Sequence, residues 1–364
     1  MSDAYSGPGG LRFGIFDWLD DTRRDLAENV ELRLAMLEYA DQHGFFAYHL
    51  AEHHGTPLST IASPNLFFML VAQRTKRLRF GPMVYLLPAY HPVRLIEEIA
   101  VLDQLSGGRI ELGVGRNASP YEAELYGLDM ANSRAEAREA LAILTQGLAT
   151  GEINFEGEHY HLTGVKLLTR AVQKPYPPLW WPTVNLETIP WIAENNFSVF
   201  LQSLFISMET VGQHLHEYRR ILAESDGKPG RINGHVDQPN HGFTIQIVVA
   251  NTDEEAGRIA KEAHALFYDN FTYLWVQHGD AARHEARRDF DTYVNQGLLT
   301  YGSPETVRTQ LQHYLDVTGA NYLGCTFAFG SLQREQVLRS IHLFTEQVMP
   351  KLHRPSLMPA AEGR

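Results

Sequence analysis

The sequence contains a single cysteine, Cys325, among 364 residues. One cysteine excludes an intramolecular disulfide and a cysteine-based zinc site, and its apolar neighbours predict a small buried side chain. No apolar run approaches the roughly 20 residues that cross a bilayer. Residues 1–10 are rich in Gly, Ser and Pro and lack a hydrophobic signal core, so we expect a flexible N-terminus and a cytoplasmic protein.

Basic residues are in the minority, since 31 lysines and arginines stand against 43 acidic residues and give a formal net charge of −12. An acidic surface repels polyphosphate, so nucleic acid and anionic membranes are poor candidate partners. Any anionic ligand must instead be held by a few local arginines. No Gly-x-Gly-x-x-Gly fingerprint follows a strand, so tight binding of a nicotinamide dinucleotide is not indicated.

Apolar runs alternate regularly with helical patterns along the chain, and near-continuous apolar runs favour parallel strands that are buried on both faces. The rhythm breaks at residues 151–168, which predict a hairpin insertion. Residues 272–300 are polar and charged, and predict either a surface excursion or a mobile loop. About eight strands, each followed by a helix, predict a (β/α)8 TIM barrel with insertions after strands 4 and 7. This single domain covers residues 11–352, and a tail follows at 353–364.

An apolar run ends abruptly in Glu52-His53-His54 and continues into Gly55. In α/β folds, functional sites form at the C-terminal ends of parallel strands. On these residues alone, a polar loop whose histidines bind water or a backbone carbonyl is equally compatible. A metal site is disfavoured, because adjacent strand residues point to opposite faces and no third ligand is indicated by spacing.

Short blocks in a fixed order carry a family resemblance that extends over residues 11–352. They are residues 11–16, Glu52-His53-His54, 86–88 with 91–94, 102–109, 132–135, 302–305 and 344–350. The chain thereby resembles the bacterial luciferase-like, flavin-dependent monooxygenases, especially the luciferase α-subunit type. The resemblance implies a TIM barrel that takes reduced FMN from a separate flavin reductase. It also implies reaction with O2 through a flavin C4a-peroxide, which oxygenates a small organic substrate such as an aldehyde or ketone.

The resemblance also implies roles for individual residues. His53 matches the family's catalytic histidine, and an imidazole exchanges protons near neutral pH. Arginine suits a phosphate because its planar fork binds two oxygens at once. The implied cofactor-binding residues are Met83, Val84, Gly115, Arg116, Arg134, Asn185 and Thr188, with Met83-Val84 aligned to a non-prolyl cis peptide under the flavin ring. The family template has Ser at Asn185. Phe16, Glu52, His54 and Tyr85 are further candidates for the cavity wall.

Several departures from the luciferase pattern predict a different substrate cavity without efficient light emission. Gly115 replaces a cysteine near the flavin, residues 117–120 replace a Tyr-containing loop, and residues 180–183 are bulkier than the template's fifth strand. Two other functions stay open at this point: an oxidoreductase that uses coenzyme F420, and a non-catalytic flavin-binding subunit. The resemblance further implies a homodimer or heterodimer formed through helices that flank the first strands.

Overall fold

The computed structural model describes residues 10–116, 119–202 and 206–354. Its strands are β1 (Arg12–Asp17), β2 (Ala47–Leu50), β3 (Arg79–Pro82), β4 (Tyr85–Leu86), β5 (Leu112–Gly115), β6 (Glu152–Glu156), β7 (His161–Lys166), β8 (Leu179–Pro182), β9 (Ser198–Gln202), β10 (His241–Val249), β11 (Leu299–Gly302) and β12 (Tyr322–Thr326). Its helices are α1 (Leu26–Gln42), α2 (Pro64–Arg74), α3 (Pro92–Ser106), α4 (Pro120–Leu125), α5 (Ser133–Thr150), α6 (Ile189–Glu194), α7 (Met208–Glu224), α8 (Asp253–Gln277), α9 (Phe290–Asn295), α10 (Pro304–Thr318) and α11 (Arg334–Leu343).

Parallel strands close into a barrel in the order β3-β2-β1-β12-β10-β9-β8-β5-β4. The first and last members of this order, β3 and β4, are two halves of one strand interrupted at Met83-Val84. A parallel bridge between Phe80 and Ile110 joins β3 to the residues before β5 and completes the ring. The predicted (β/α)8 barrel is therefore confirmed. Helix starts at Ser63-Pro64 and Ser303-Pro304 follow the expected pattern of Pro in the first turn.

Aromatic side chains and one histidine fill the barrel interior, so the barrel is a packed core and not a pore. His49 is fully buried, and its Nε2 lies 2.9 Å from the hydroxyl of Tyr322. Burial lowers the pKa of His49 to about 3, so the ring is neutral at physiological pH. Gly14 makes room for Tyr322, because a Cβ at this position would lie 1.8 Å from the tyrosine oxygen.

A buried ion-pair network ties α8 and the loop after β12 to the end of the first strand. The carboxylate of Asp20 lies 3.4 Å from the Arg33 guanidinium and accepts hydrogen bonds from Asn270 Nδ2 at 3.1 Å and from the backbone N–H of Gly330 at 2.8 Å. Burial raises the pKa of Asp20 to about 6, and the neighbouring Arg33 charge opposes that rise. The network fixes α8 against the face of the barrel that carries the cavity described below.

The two insertions differ in how well the sequence predicts them. The first is the expected hairpin, in which β6 pairs with β7 in antiparallel register. For residues 272–300 the sequence predicts either a surface excursion or a mobile loop, and the structure forms regular elements there. α8 continues to Gln277, 281–287 form a 3-10 helix, and β11 adds to β10 outside the barrel. Apolar residues lie on both sides of the last turns of α8 and conceal its helical period, and a four-residue strand is too short to show alternation.

None of the helices in the described ranges is long and apolar enough to cross a membrane.

Candidate active site

A cavity of about 460 Å³ opens at the C-terminal ends of β2, β4, β5 and β8. This is the end of a parallel barrel at which functional sites form, and the volume suits a small-molecule ligand. Its polar wall comes from residues after these strands and from α5; its apolar wall comes from α8 and the β8 loop. The residues that line it include Glu52, His53, Met83, Val84, Gly115, Arg116, Glu122, Arg134, Arg138, Trp181, Asn185, Thr188, Trp191, Phe271, Leu274, Trp275 and His284.

His53 lies on the cavity wall and is held from behind by Glu122, a residue of α4. The distance from His53 Nδ1 to Glu122 Oε1 is 3.0 Å, and the second carboxylate oxygen accepts the backbone N–H of His54 at 3.0 Å. Glu122 is buried, with 4% of its side chain exposed, whereas 26% of the His53 side chain is exposed. Ser119 caps α4 by accepting the N–H of Glu122. One short helix thus positions the carboxylate that orients His53.

His54 points away from the cavity, as expected for neighbours at a strand end. Its Nε2 lies 2.8 Å from Glu52 Oε1 and its Nδ1 lies 2.8 Å from the hydroxyl of Tyr126. The buried Glu52 also accepts the backbone N–H of Leu86 at 3.3 Å. Burial raises the pKa of Glu52, while the bond to His54 lowers it. Both ring nitrogens of His54 are therefore used within the protein, and the structure does not place this histidine on the wall.

Three arginines give the cavity a positive side. Arg116 follows β5 and donates to Ser133 Oγ at 3.2 Å, and Arg134 lies in the first turn of α5. Arg138 lies one helical turn further along and stands over the ring of Trp191, 5.1 Å from its centroid. Within the described residues none of the three forms an ion pair. In a protein with an excess of acidic residues, three guanidiniums without an ion pair on one wall are suited to a negatively charged ligand.

The other implied phosphate contacts reach the same cavity from the β8 loop. Asn185 caps the turn at residues 186–188 by accepting the backbone N–H of Glu187 at 2.9 Å. Thr188 directly precedes α6 and also lines the cavity. Since the side-chain oxygen of Asn185 already accepts a hydrogen bond in this cap, the side-chain NH2 group is the part left to donate to a ligand.

The floor of the cavity, formed by Met83, Val84 and Gly115, lies where β4 meets β5. The Met83-Val84 peptide is cis, as the family resemblance implies, and both residues line the cavity. Gly115 packs against this segment so closely that a Cβ would lie 2.9 Å from Val84 Cγ2. A planar group can therefore approach the backbone here more closely than any side chain at residue 115 would permit.

Two residues expected on the cavity wall lie elsewhere. Phe16 is fully buried in the barrel interior, with its ring 4.6 Å from Trp18 and 5.7 Å from Phe200 between centroids. Tyr85 turns outward, and its hydroxyl donates to the side chain of Asn65. Strands buried on both faces show no alternation in the sequence, so the direction of these side chains was not readable from it.

Sequence reasoning also missed residues that the structure brings to the site. Glu122 had a readable signal, because Ser119-Pro120 is a helix start and Glu122 falls in its first turn. Arg138 follows Arg134 by four residues, the spacing that places two side chains on one helix face. The apolar wall is formed by Trp181, Trp191, Phe271, Leu274 and Trp275, with His284 beside them. Trp181 belongs to the bulky residues 180–183 that predict an altered cavity, whereas the other members had no such signal. No group of acidic, histidine or cysteine side chains suited to a metal ion occurs in the described part of the chain.

A parallel barrel that carries three arginines and a carboxylate-held histidine in one cavity at its C-terminal end has the architecture of a TIM-barrel enzyme. The family model for luciferase-like monooxygenases matches residues 11–321. The chain belongs to this family, and it is an enzyme of the monooxygenase class. It is 34% identical over 345 residues to uncharacterized protein y4wF of Sinorhizobium fredii, covering 95% of this chain and 98% of the relative. It is 25% identical over 357 residues to the alkanal monooxygenase alpha chain of the Kryptophanaron alfredi symbiont, covering 91% and 95%.

Solved structures share the fold over nearly the whole chain. The oxygenating constituent of 3,6-diketocamphane monooxygenase from Pseudomonas putida, a type II Baeyer-Villiger monooxygenase in complex with FMN, has a TM-score of 0.79 at 22% identity. The match covers 95% of this chain and 99% of that one. The coenzyme F420-dependent tetrahydromethanopterin reductase of Methanopyrus kandleri has a TM-score of 0.69 at 18% identity, covering 93% and 99%. At these identities the likeness concerns the fold, and both kinds of cofactor occur on it.

Proposed function

We propose that the chain is the oxygenase component of a two-component system. It binds reduced FMN delivered by a separate flavin reductase and uses O2 to oxygenate a small apolar aldehyde or ketone. The observation that supports this most directly is the content of one cavity: unpaired arginines, a backbone-lined floor and a histidine held by a buried carboxylate. Each matches one part of what a reduced flavin mononucleotide and its reaction with a carbonyl compound require.

The residues of the cavity fit FMN. Arg116 and Arg134 would hold the phosphate, with Thr188 and the Asn185 amide as neutral donors. The flavin ring would lie against the floor at Gly115, where the missing Cβ leaves the backbone accessible. When bound, the reduced flavin supplies two electrons to O2, so that one oxygen atom enters the substrate and the other leaves as water.

The protein's own contribution is proton control and exclusion of water. With Nδ1 of His53 bonded to Glu122, Nε2 is the ring nitrogen that remains for a group in the cavity. This nitrogen can accept or return a proton as oxygen is activated and transferred. The aromatic wall that includes Trp181 and Trp275 removes water from the reacting atoms and favours an apolar substrate. The alkanal monooxygenase and diketocamphane monooxygenase relatives are consistent with a carbonyl substrate.

The test compares cofactors and then substrates. Anaerobic titration of the protein with reduced FMN and with reduced F420 should show tighter binding of reduced FMN. Mixing the FMN complex with O2 and a panel of aldehydes and ketones should give an oxygenated product with little light. Tighter binding of reduced F420, together with hydride transfer in the absence of O2, would replace this proposal by the F420-dependent alternative.

A non-catalytic flavin-binding subunit is the third candidate. It would have no use for a histidine held at a defined angle by a buried carboxylate, and the chain keeps both His53 and Glu122. Binding of reduced FMN with no product from any substrate in the panel would favour this candidate.

Two outer helices carry the surface that we expect to form a dimer. Leu66 and Leu70 on α2 are 70% and 44% exposed, and Val101 and Leu105 on the adjacent α3 are 42% and 52% exposed. Four large apolar side chains on neighbouring helices resemble an interface more than an ordinary surface. Leu66→Glu with Leu105→Glu should convert a dimer to a monomer in sedimentation velocity. An unchanged sedimentation coefficient would place any interface elsewhere.

A further inference from the structure

The carboxylate of Glu122 is the only group in the described residues that bonds both His53 and His54. We propose that Glu122 is a positioning residue that fixes His53 in the Nδ1–H tautomer and directs its bare Nε2 into the cavity. The functional part of this inference rests on the proposed oxygenase function, whereas the tautomer itself does not.

The backbone amide of His54 determines which nitrogen of His53 carries the hydrogen. A backbone N–H is always a donor, so the oxygen of Glu122 that faces it, 3.0 Å away, must accept. The other oxygen lies 3.0 Å from His53 Nδ1. An ionised carboxylate is an acceptor on both oxygens, so the hydrogen of this second bond must belong to His53. Nδ1 is therefore protonated, and in the neutral ring Nε2 carries the lone pair.

Burial makes the arrangement rigid. Only 4% of the Glu122 side chain is exposed, so water competes poorly for either oxygen. The side chain starts from a capped helix whose first turn is fixed by Ser119 and Pro120. Tyr121, the preceding residue, stacks on His278 with 4.0 Å between ring centroids and packs edge-on against Trp275 at 5.1 Å. The helix that carries the carboxylate is thus anchored to α8, which forms the apolar wall of the same cavity.

His54 also contacts a carboxylate, that of Glu52, but this contact does not direct a ring nitrogen into the cavity. Both nitrogens of His54 are bonded inside the protein, to Glu52 and to Tyr126. That histidine has no nitrogen left for a ligand. His53 has one partner at Nδ1, and its other nitrogen belongs to the cavity. The same kind of carboxylate contact is therefore structural at His54 and directs chemistry at His53.

Substitution Glu122→Gln gives an outcome that a purely structural role would not. The amide keeps the size of the side chain but has one acceptor oxygen and one donor group. Since the His54 amide must meet the oxygen, the NH2 group faces His53 Nδ1, which then has to accept. We expect the ring to switch to the Nε2–H tautomer and to present a hydrogen to the cavity in place of a lone pair.

The experiment measures the tautomer in the flavin-free protein by long-range 1H–15N correlation of histidine-labelled samples, with His53→Gln used to assign the signals. The wild type should show His53 as Nδ1–H, and Glu122→Gln should show it as Nε2–H. Glu122→Asp, which keeps two acceptor oxygens, should retain Nδ1–H. The matched control is Glu124→Gln, an exposed carboxylate of the same helix, which should leave the signal unchanged. A wild-type Nε2–H tautomer would overturn the assignment, whatever the Glu122 variants show.

A second measurement connects the tautomer to the reaction. Glu122→Gln should lower the oxygenation rate by about 100-fold, the range for loss of a positioned acid or base, with reduced-FMN affinity changed less than about 3-fold. Glu124→Gln should match the wild type in both. Full oxygenation by Glu122→Gln would refute the positioning role. Absence of reduced-FMN binding by the wild type would refute the proposed function instead, and the tautomer result would then still decide the role of Glu122.

Discussion

Arg134 offers the sharpest test of the proposed phosphate site. Its side chain is exposed on the cavity wall, and within the described residues it has no hydrogen-bond or ion-pair partner. The first turn of a helix disfavours a cation, because the positive end of the helix dipole lies there. A phosphate bound there would offset the repulsion between the arginine charge and the helix dipole. Replacement of Arg134 by glutamine keeps much of the stem and removes only the charge and the planar fork.

The expected magnitude follows from the loss of one charge-assisted contact. Such hydrogen bonds contribute about 1.5–3 kcal/mol, so Arg134→Gln should weaken reduced FMN by about 10- to 150-fold. Riboflavin lacks the phosphate, and its reduced form should lose less than about 3-fold. The free energy of unfolding should change by less than about 0.5 kcal/mol, because no internal contact is broken.

The assay is an anaerobic titration of both reduced flavins, followed by tryptophan fluorescence. Arg334→Gln is the matched control: it is also an exposed arginine in the first turn of a helix, α11, and it changes the net charge equally. A general electrostatic effect would appear in both variants. Equal weakening of FMN and riboflavin by Arg134→Gln, or no weakening of FMN, would refute the phosphate assignment.

Three further predictions concern the histidine, the floor and the buried network. His53→Ala should leave reduced-FMN affinity within about 3-fold and lower oxygenation at least about 100-fold in single-turnover kinetics; intact turnover would remove its role. Gly115→Ala should lower the free energy of unfolding in urea by about 1–3 kcal/mol, because the new Cβ would lie 2.9 Å from Val84. Burial raises the pKa of Asp20 from 3.8 to about 6, so its stabilising contribution is fully present below the lower value and is lost as pH rises through the upper one. Relative to Asp20→Asn, the wild type should therefore lose about 3 kcal/mol between about pH 3 and pH 7, and parallel pH profiles would contradict this.

The barrel was predictable because its signals are local. Each core strand is a short apolar run, and several helices begin at a Ser-Pro pair, so a count of repeats suffices. The regular elements within residues 272–300 were not predictable, because their periodicity is weak. The end of α8 exposes Tyr273 and Val276 while Phe271, Leu274 and Trp275 face the cavity. Apolar residues on both sides of a helix blur the period that identifies it.

Some residues of the candidate site were also predictable from the sequence, and others were not. Arg116, Arg134 and His53 were found because they match positions of the family that the sequence resembles, and the structure brings all three to one cavity. Glu122 was missed although its helix start was visible, because its partner His53 lies 69 positions earlier in the chain. Contacts across that separation depend on strand order and register, which a single sequence does not report.

The two adjacent histidines at the end of β2 have different roles: His53 faces the cavity, and His54 is bonded within the protein. Side chains of consecutive extended residues point in opposite directions, so His53 and His54 cannot serve the same ligand. Each acquires its own carboxylate from a different part of the chain, Glu122 from α4 and Glu52 from β2's own end. Glu52 and Tyr126 take up both nitrogens of His54, so of this adjacent pair only His53 offers a ring nitrogen to the cavity. A histidine whose other nitrogen is held by a carboxylate has a defined tautomer, and that is a condition under which a proton reaches the intended atom.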